Sequence, residues 1–390
     1  MFQVLSISLD RDLLDESCTH EAQRRQLIYC DGIPCRTTVV AKTPPRSRHE
    51  APDLGEALQV FPCPVRHWLL FPLKALRVCA RLCRERHFDV VQAQEPYLTG
   101  LIALWVKRRW RLPFVVGVFN DEIGNPVWLR ERWRHRLAAW MGRIVLRHAD
   151  VIRTDSEAVA CRLKSQGFDR VIFVPFLITH AETLSAPDPG ASSLRETLLA
   201  GRAGPLLLTV ARLERQKNIP LLLEAMEVLA RPAAQLVVVG DGTLRGVLEK
   251  KARDRGLTNI CFWGYVPAEL LRQYYQAADL FILSSNHESS ARVLTEALLA
   301  GTPVLTTNTA GARDVVEDGV SGRIVPPGDS AALANTLREL CDGADCLEGM
   351  GERGRRAMLA RVSRENVVSG LREVYAVATG GNHKQADRSK

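Results

Sequence analysis

Residues 280–307 read LFILSSNHESSARVLTEALLAGTPVLTT, and this run contains a complete strand–helix–strand unit. LFIL is an unbroken apolar run of strand length. The residues from Ser290 or Ala291 to Ala300 have helical composition, and Gly301 with Pro303 stops that helix before Val304–Thr307. Strands joined through a helix belong to a parallel sheet.

The same alternation runs outward in both directions. The second half predicts further strands at Leu206–Val210, Leu236–Val239, Ile260–Phe262 and Arg323–Val325. The first half predicts them at Gln3–Leu9, Thr37–Val40, Val90–Ala93, Phe114–Val118, Val151–Arg153 and Val171–Val174. Each half therefore reads as its own doubly wound, Rossmann-like α/β sheet. Leu184–Gly190, a polar stretch ending in Pro-Asp-Pro-Gly, reads as an exposed linker. The expected domains are 1–184 and 185–363. A helix at about 364–379 is expected to pack back on the first domain, followed by a disordered tail at 380–390.

A chain of 390 residues with 46% hydrophobic and 25% charged side chains has the balance of a globular protein with a sizeable core. The net charge of +8 is unevenly placed. Residues 1–180 hold 27 Lys and Arg against 19 Asp and Glu, while 181–390 hold 25 of each. Between Arg66 and Arg147 the imbalance sharpens to 16 against 6, which suits an anionic partner or a solvated basic surface. The ten Cys show no CxxC pair and no zinc spacing, and no cleavable leader precedes them, so they read as reduced thiols of a cytoplasmic protein. Leu98–Val106 stops at Lys107, well short of the ~20 apolar residues a spanning helix needs.

Ligands of doubly wound sheets bind beyond the carboxyl ends of the strands. Two cations, Arg212 and Lys217, stand on the loop after Leu206–Val210, placed to grip a diphosphate. Glu288 stands on the loop after Leu280–Leu283, and Glu296 is expected roughly two turns into the next helix. The backbone N–H groups of Ser289, Ser290, Ala291, Arg292 and Val293 would offer a phosphate seat at that helix N-terminus, and carboxylates suit sugar or ribose hydroxyls. On spacing alone, a solvated loop acid and an ordinary helix residue remain the stronger reading.

The order of motifs is more specific. Glu288 and Glu296, then Gly301-Thr302-Pro303-Val304, then Ala310-Gly311, then Gly319-Val320-Ser321-Gly322-Arg323-Ile324-Val325-Pro326-Pro327-Gly328-Asp329 follow one another, preceded by Val239-Gly240-Asp241-Gly242 and Gly264-Tyr265-Val266. From Val210 to Asp329 the chain resembles the donor domain of family 4 retaining glycosyltransferases with the GT-B fold. The resemblance implies two facing Rossmann-like domains with an interdomain cleft. It implies that Arg212 and Lys217 neutralise the donor diphosphate, that Glu296 binds ribose, that Glu288 holds the transferred hexose-type sugar, and that the backbone around Val266 flanks the base. It further implies same-face transfer to an acceptor hydroxyl in glycan or glycolipid synthesis, with no metal and no cofactor beyond the nucleoside-diphosphate sugar. Ser289-Ser290-Ala291-Arg292 replaces the Gly-Phe-Gly-like run of many members.

The first half resembles the family only in architecture. No glycine follows the first strand, and no His follows Phe114–Val118, where Phe119-Asn120-Asp121-Glu122 stands. Asp121 is the candidate there for orienting donor or acceptor, with a turn or helix-capping acid as its plainer reading. Gly240-x-Gly242 with the next glycine at Gly246 is GxGxxxG, which argues against NAD. An epimerase or phosphorylase on the same architecture and a non-catalytic sugar-nucleotide or glycan-binding module are the competing functions, and no nucleic-acid partner is expected. Finally, Arg130–His148 predicts one helix with Trp133, Leu137, Trp140, Met141, Ile144 and Val145 on a single face, flanked by Arg132, Arg136, Arg143 and Arg147. That pattern suits docking on an anionic membrane surface, or an apolar face packed inward with solvated arginines.

Overall fold

The computed structural model describes residues 2–10, 13, 21–43, 54–343 and 345–380. Apart from Gly380, the tail expected to be disordered lies outside the described residues. The chain forms two compact units: one runs to Thr179 and resumes at Ser363, and the other spans His180–Val362.

The first unit holds a sheet of β1 (Phe2–Ser8), β2 (Cys35–Thr43), β3 (Leu58–Pro64), β4 (Val90–Ala93), β5 (Phe114–Val118), β6 (Val151–Thr154) and β7 (Val171–Phe173). Its spatial order is β3-β2-β1-β4-β5-β6-β7, all parallel. The connections carry α1 (Glu21–Gly32), α2 (Phe71–Glu85), α3 (Leu98–Trp110), α4 (Pro126–Glu131), α5 (Trp133–His148) and α6 (Glu157–Ser165).

The second unit begins with α7 (Ala181–Ser185) and α8 (Ala191–Leu199). Its strands are β8 (Leu206–Val210), β9 (Gln235–Val239), β10 (Ile260–Gly264), β11 (Leu280–Leu283), β12 (Val304–Thr307) and β13 (Gly322–Val325). They lie parallel in the order β10-β9-β8-β11-β12-β13. Between and after them come α9 (Ile219–Leu229), α10 (Arg245–Asp254), α11 (Leu271–Ala277), α12 (Arg292–Leu299), α13 (Ala310–Val315), α14 (Ser330–Asp342) and α15 (Asp345–Arg361). The last helix, α16 (Arg364–Ala378), packs on α1 and on β5–β7 of the first unit.

The strands are unbroken apolar runs because both faces of a parallel sheet are covered by helices; β8, β9, β11 and β12 are buried along their whole length. Each unit closes its own core, around Val4, Val90 and Val115 in the first and around Leu207, Leu236 and Leu305 in the second.

Three expectations are corrected. No strand is expected over Leu58–Pro64, yet β3 forms there although Pro62 and Pro64 each lack an N–H donor. It lies at the sheet edge, where a missing N–H donor is tolerated. The stretch Leu184–Gly190 is no free linker. Leu184 is buried, Arg272 holds Asp188 through Nε and Nη2 at 2.8 and 2.5 Å, and the Gln276 amide donates to the Leu184 and Ala186 carbonyls. The second unit accordingly starts at His180, with α7 packed on α12 and α15. The helix expected over Arg130–His148 breaks at Arg132, which is extended at φ −149° and ψ 142°. In α5 the inner face is Ala139, Gly142, Val145 and Leu146, whereas Trp133, Leu137 and Trp140 are exposed.

Candidate functional site

In the second sheet the strand order reverses between β8 and β11, which are direct neighbours. Loops leaving two such strands diverge to opposite faces and open a crevice at their carboxyl ends. The loop after β8 carries Arg212 and Lys217, and the loop after β11 carries Glu288.

Glu288 is buried. Lys217 Nζ forms a short ion pair with its Oε1, and the Ser285 hydroxyl donates to the same oxygen at 2.7 Å. Both loops are laced together around this pair. Asn286 N donates to the Gln216 carbonyl at 2.8 Å and the Gln216 amide to the His287 carbonyl at 2.9 Å. Asn218 Nδ2 donates to Asn286 Oδ1 at 2.9 Å, and Ser284 Oγ to the Lys217 carbonyl at 3.0 Å. The lysine and the carboxylate are thus held by backbone as well as by each other. A solvated loop acid is ruled out for Glu288.

Glu296 is also buried. Tyr275 Oη donates to its Oε2 at 2.9 Å, and Arg292 lies 3.6 Å from its Oε1. Burial, with the Glu296 charge beside it, pushes the Tyr275 phenol well above its ordinary value, so it stays a proton donor to the carboxylate. Helix α12 begins at Arg292, later than expected, so Glu296 stands little more than one turn inside it. The N-cap position, Ala291, supplies no side-chain hydrogen bond, and the Arg292 N–H is taken by the Ser290 carbonyl at 2.9 Å. Ser289, Ser290 and Val293 are half-buried and Ala291 is buried. Gly311 fits beneath them: its N–H donates to the Glu288 carbonyl at 2.8 Å, and a Cβ there would press on the Ala291 and Ser289 backbone.

Arg212 is exposed, but its backbone is fixed. Ala211 N donates to the Val239 carbonyl at 3.0 Å and Leu213 N to the Asp241 carbonyl at 2.9 Å. Gly240 sits at φ +126° with the Ala211 carbonyl where its Cβ would stand, and Gly242 faces the Leu213 backbone in the same way. The Gly-Asp-Gly turn is therefore a backing for the arginine loop, which is why a dinucleotide-type spacing is not needed. Val266 is buried, just beyond the end of β10 and two strands from β8.

Asp121 lies in the first unit. Its buried carboxylate pairs with Arg162 of α6 and accepts from Asn125 Nδ2 at 2.9 Å, and it is Asn125 that caps α4. Nearby, Glu95 accepts the N–H groups of Tyr97 and Thr99, each at 2.6 Å, and burial pushes its carboxyl above the usual range. Sequence spacing gave no hint of Tyr275 or Gln216, which shape the site through contacts 21 and 71 residues apart in the chain. Ser285, three residues before Glu288, was within reach of a local reading. Among the described residues no three His, Cys, Asp or Glu side chains gather as a metal-ligand group.

Two parallel doubly wound units, one with polar and charged loops converging at its switch point, define the GT-B class. A family model described as glycosyl transferases group 1 matches residues 193–357, and one described as a glycosyl transferase 4-like domain matches residues 34–176. Glycogen synthase of Mycobacterium tuberculosis is 30% identical over 310 residues, covering 77% of this chain and 71% of that protein. The lipopolysaccharide core biosynthesis glycosyltransferase LpsE of Rhizobium meliloti is 28% identical over 231 residues, 59% of this chain, which spans 65% of that relative's length. The structure of Anabaena HepE in complex with UDP and glucose superposes with a TM-score of 0.72 at 20% identity, covering 96% of this chain and 99% of that one. The chain belongs to the group 1 glycosyltransferases of GT-B fold.

The Lys217–Glu288 pair gives a stability test that does not depend on knowing the substrate. Both side chains are largely withdrawn from water, at 14% and 9% exposure. Removing the cation leaves a buried carboxylate unpaired, at a cost of about 3–5 kcal/mol. Lys217→Met is expected to lower the thermal unfolding midpoint, and adding Glu288→Gln to recover part of the loss. A double variant that melts no higher than the single one would show the two groups uncoupled.

Proposed function

We propose that the protein is a retaining, metal-independent hexosyltransferase of the family 4 type, taking its sugar from a nucleoside diphosphate. The observation that carries this reading is the Lys217–Glu288 pair at the β8–β11 switch point with Arg212 on the same loop as the lysine. A nucleoside-diphosphate sugar has the matching sequence of groups: hydroxyls for Glu288, phosphates for Lys217 and Arg212, ribose for Glu296, and a base beside the Val266 backbone. The first-turn N–H groups of α12 would add partial positive charge beside the phosphates. The relation to the group 1 glycosyltransferases and the UDP and glucose held by HepE support this donor class.

In the reaction the acceptor hydroxyl oxygen bonds to the anomeric carbon on the face the diphosphate leaves. The bond from that carbon to the phosphate oxygen breaks, and the acceptor proton passes to the departing phosphate. Charge grows on the diphosphate as the bond breaks, so Arg212 and Lys217 act where it develops. They supply the stabilisation that Mg²⁺ supplies elsewhere, which is the basis for the metal-independent reading. Glu288 orients the sugar. The acceptor is a glycan or a lipid-linked glycan, and Asp121, engaged with Arg162, acts there through the shape of its loop.

A peripheral docking of the first unit on an anionic membrane surface belongs to the same reading. The exposed Trp133, Leu137 and Trp140 of α5 stand among the exposed Arg132, Arg136, Arg143 and Arg147. Arg143 also donates to Gln166 Oε1 at 3.1 Å. Among the described residues no helix is long and apolar enough to cross a membrane.

Two outcomes test the chemistry. With a panel of nucleotide sugars, transfer or slow donor hydrolysis should appear with retained anomeric configuration by NMR. Arg212→Ala, an exposed substitution, should cut it on the order of 10²-fold or more, and near-normal rates in that variant would misplace the donor site. Activity should also persist in EDTA, and a complete loss reversed by Mg²⁺ would overturn the metal-independent mechanism.

A further inference from the structure

In the first unit α3 packs between α2 and α5. Outward-facing residues are of one kind on all three. Helix α3 exposes Leu101 and Trp105 ahead of Arg108 and Arg109. The start of α2 and the turn before it expose Leu69, Leu70 and Leu73 at 58, 51 and 60%. The three helices together contain a single carboxylate, Glu85, at the carboxyl end of α2. Exposed apolar side chains scattered singly are ordinary, but here they recur along neighbouring helices and alternate with cations.

The α2 edge is also concave. Between the end of β3 and the first three turns of α2 lies a cleft of about 630 Å³, whose wall combines Val65, Leu70 and Leu73 with Lys74, Arg77 and Arg81. Lys74 Nζ donates to the Pro64 carbonyl at 2.7 Å, which fixes the ammonium at the wall of the cleft. Arg77 and Arg81 are exposed, one turn apart, and no ion pair engages either among the described residues. An inorganic anion would satisfy the cations and leave the leucines in water, while a neutral apolar ligand would do the reverse. A molecule with an anionic headgroup on an apolar body satisfies both.

We propose that this cleft binds the headgroup of an anionic phospholipid, so that α2 forms a second seat of the first unit on an anionic bilayer. The inference rests on the proposal above that α5 docks on such a surface, and it places a specific lipid site at the opposite side of α3. The helical layer then meets the membrane along its whole width, and cation-rich side chains near an anionic surface act additively.

The test is flotation of the full chain with phosphatidylcholine vesicles, with and without phosphatidylglycerol. Wild type is expected to bind only the anionic vesicles, and less as salt rises. Lys74→Gln/Arg77→Gln/Arg81→Gln should weaken binding by about tenfold or more, and Leu70→Ser/Leu73→Ser should remove the part that survives high salt. The α5 variant with Arg132, Arg136, Arg143 and Arg147 changed to Gln should keep residual binding that the α2 substitutions abolish. A triple α2 variant that binds like wild type, with α5 substitutions still effective, would overturn the lipid cleft and leave the α5 docking standing. Absence of wild-type binding to anionic vesicles, or equal binding to neutral ones, would overturn both. The substitutions are at exposed positions, and unchanged donor turnover in vesicle-free solution separates any of these results from a failure of the transferase reading.

Discussion

One buried ion pair organises the second unit. Lys217 and Glu288 lie 71 residues apart in the chain, yet they meet because β8 and β11 are neighbours at the point where strand order reverses. A charge is costly to bury alone, so each side chain makes the other's position tenable. The surrounding amides and hydroxyls of Gln216, Asn218, Ser284, Ser285 and Asn286 satisfy the two loops and leave little freedom in how the charges are presented. Such preorganisation suits a ligand that alternates phosphate with hydroxyl, because no solvent-like reorganisation is needed when charge shifts along it.

The other motif residues act mainly as supports. Gly240 and Gly242 leave room for the arginine loop, Gly311 lets its helix start approach the Glu288 loop, and Tyr275 holds Glu296 from the buried side of α11. Asp329, the last residue of the Pro-Pro-Gly-Asp run, caps α14 by accepting the Ala332 N–H at 2.8 Å. Gly319 and Gly328 take positive φ in tight turns. Much of the motif string is therefore backbone geometry that puts a few side chains in place.

Twelve of the strands were legible in the sequence because parallel strands covered on both faces leave continuous apolar runs, and β3 was hidden by prolines that an edge position permits. Arg212, Lys217, Glu288 and Glu296 were legible through motif order. The contacts that hold these candidates were not: Lys217 meets Glu288 across 71 residues and Tyr275 meets Glu296 across 21, and in the first unit the pairing of Asp121 with Arg162 spans 41. The linker reading of Leu184–Gly190 failed for the same reason, since its breakers are real but Arg272 and Gln276 pin them from 84 or more residues away. Helical periodicity grouped Trp133, Leu137 and Trp140 with Val145 on one face, but it could not say that the small residues Ala139 and Gly142 would take the buried side.

In the proposed donor site the second unit grips a nucleoside diphosphate through the loop after β8. Isothermal titration with UDP, GDP and ADP measures this without an acceptor or a known sugar. One of them is expected to bind one molecule per chain, and Arg212→Ala to weaken that binding about tenfold or more, the loss of a charged hydrogen bond being worth about 1.5–3 kcal/mol. Binding of none of the three, or equal affinity in Arg212→Ala, would contradict this donor site.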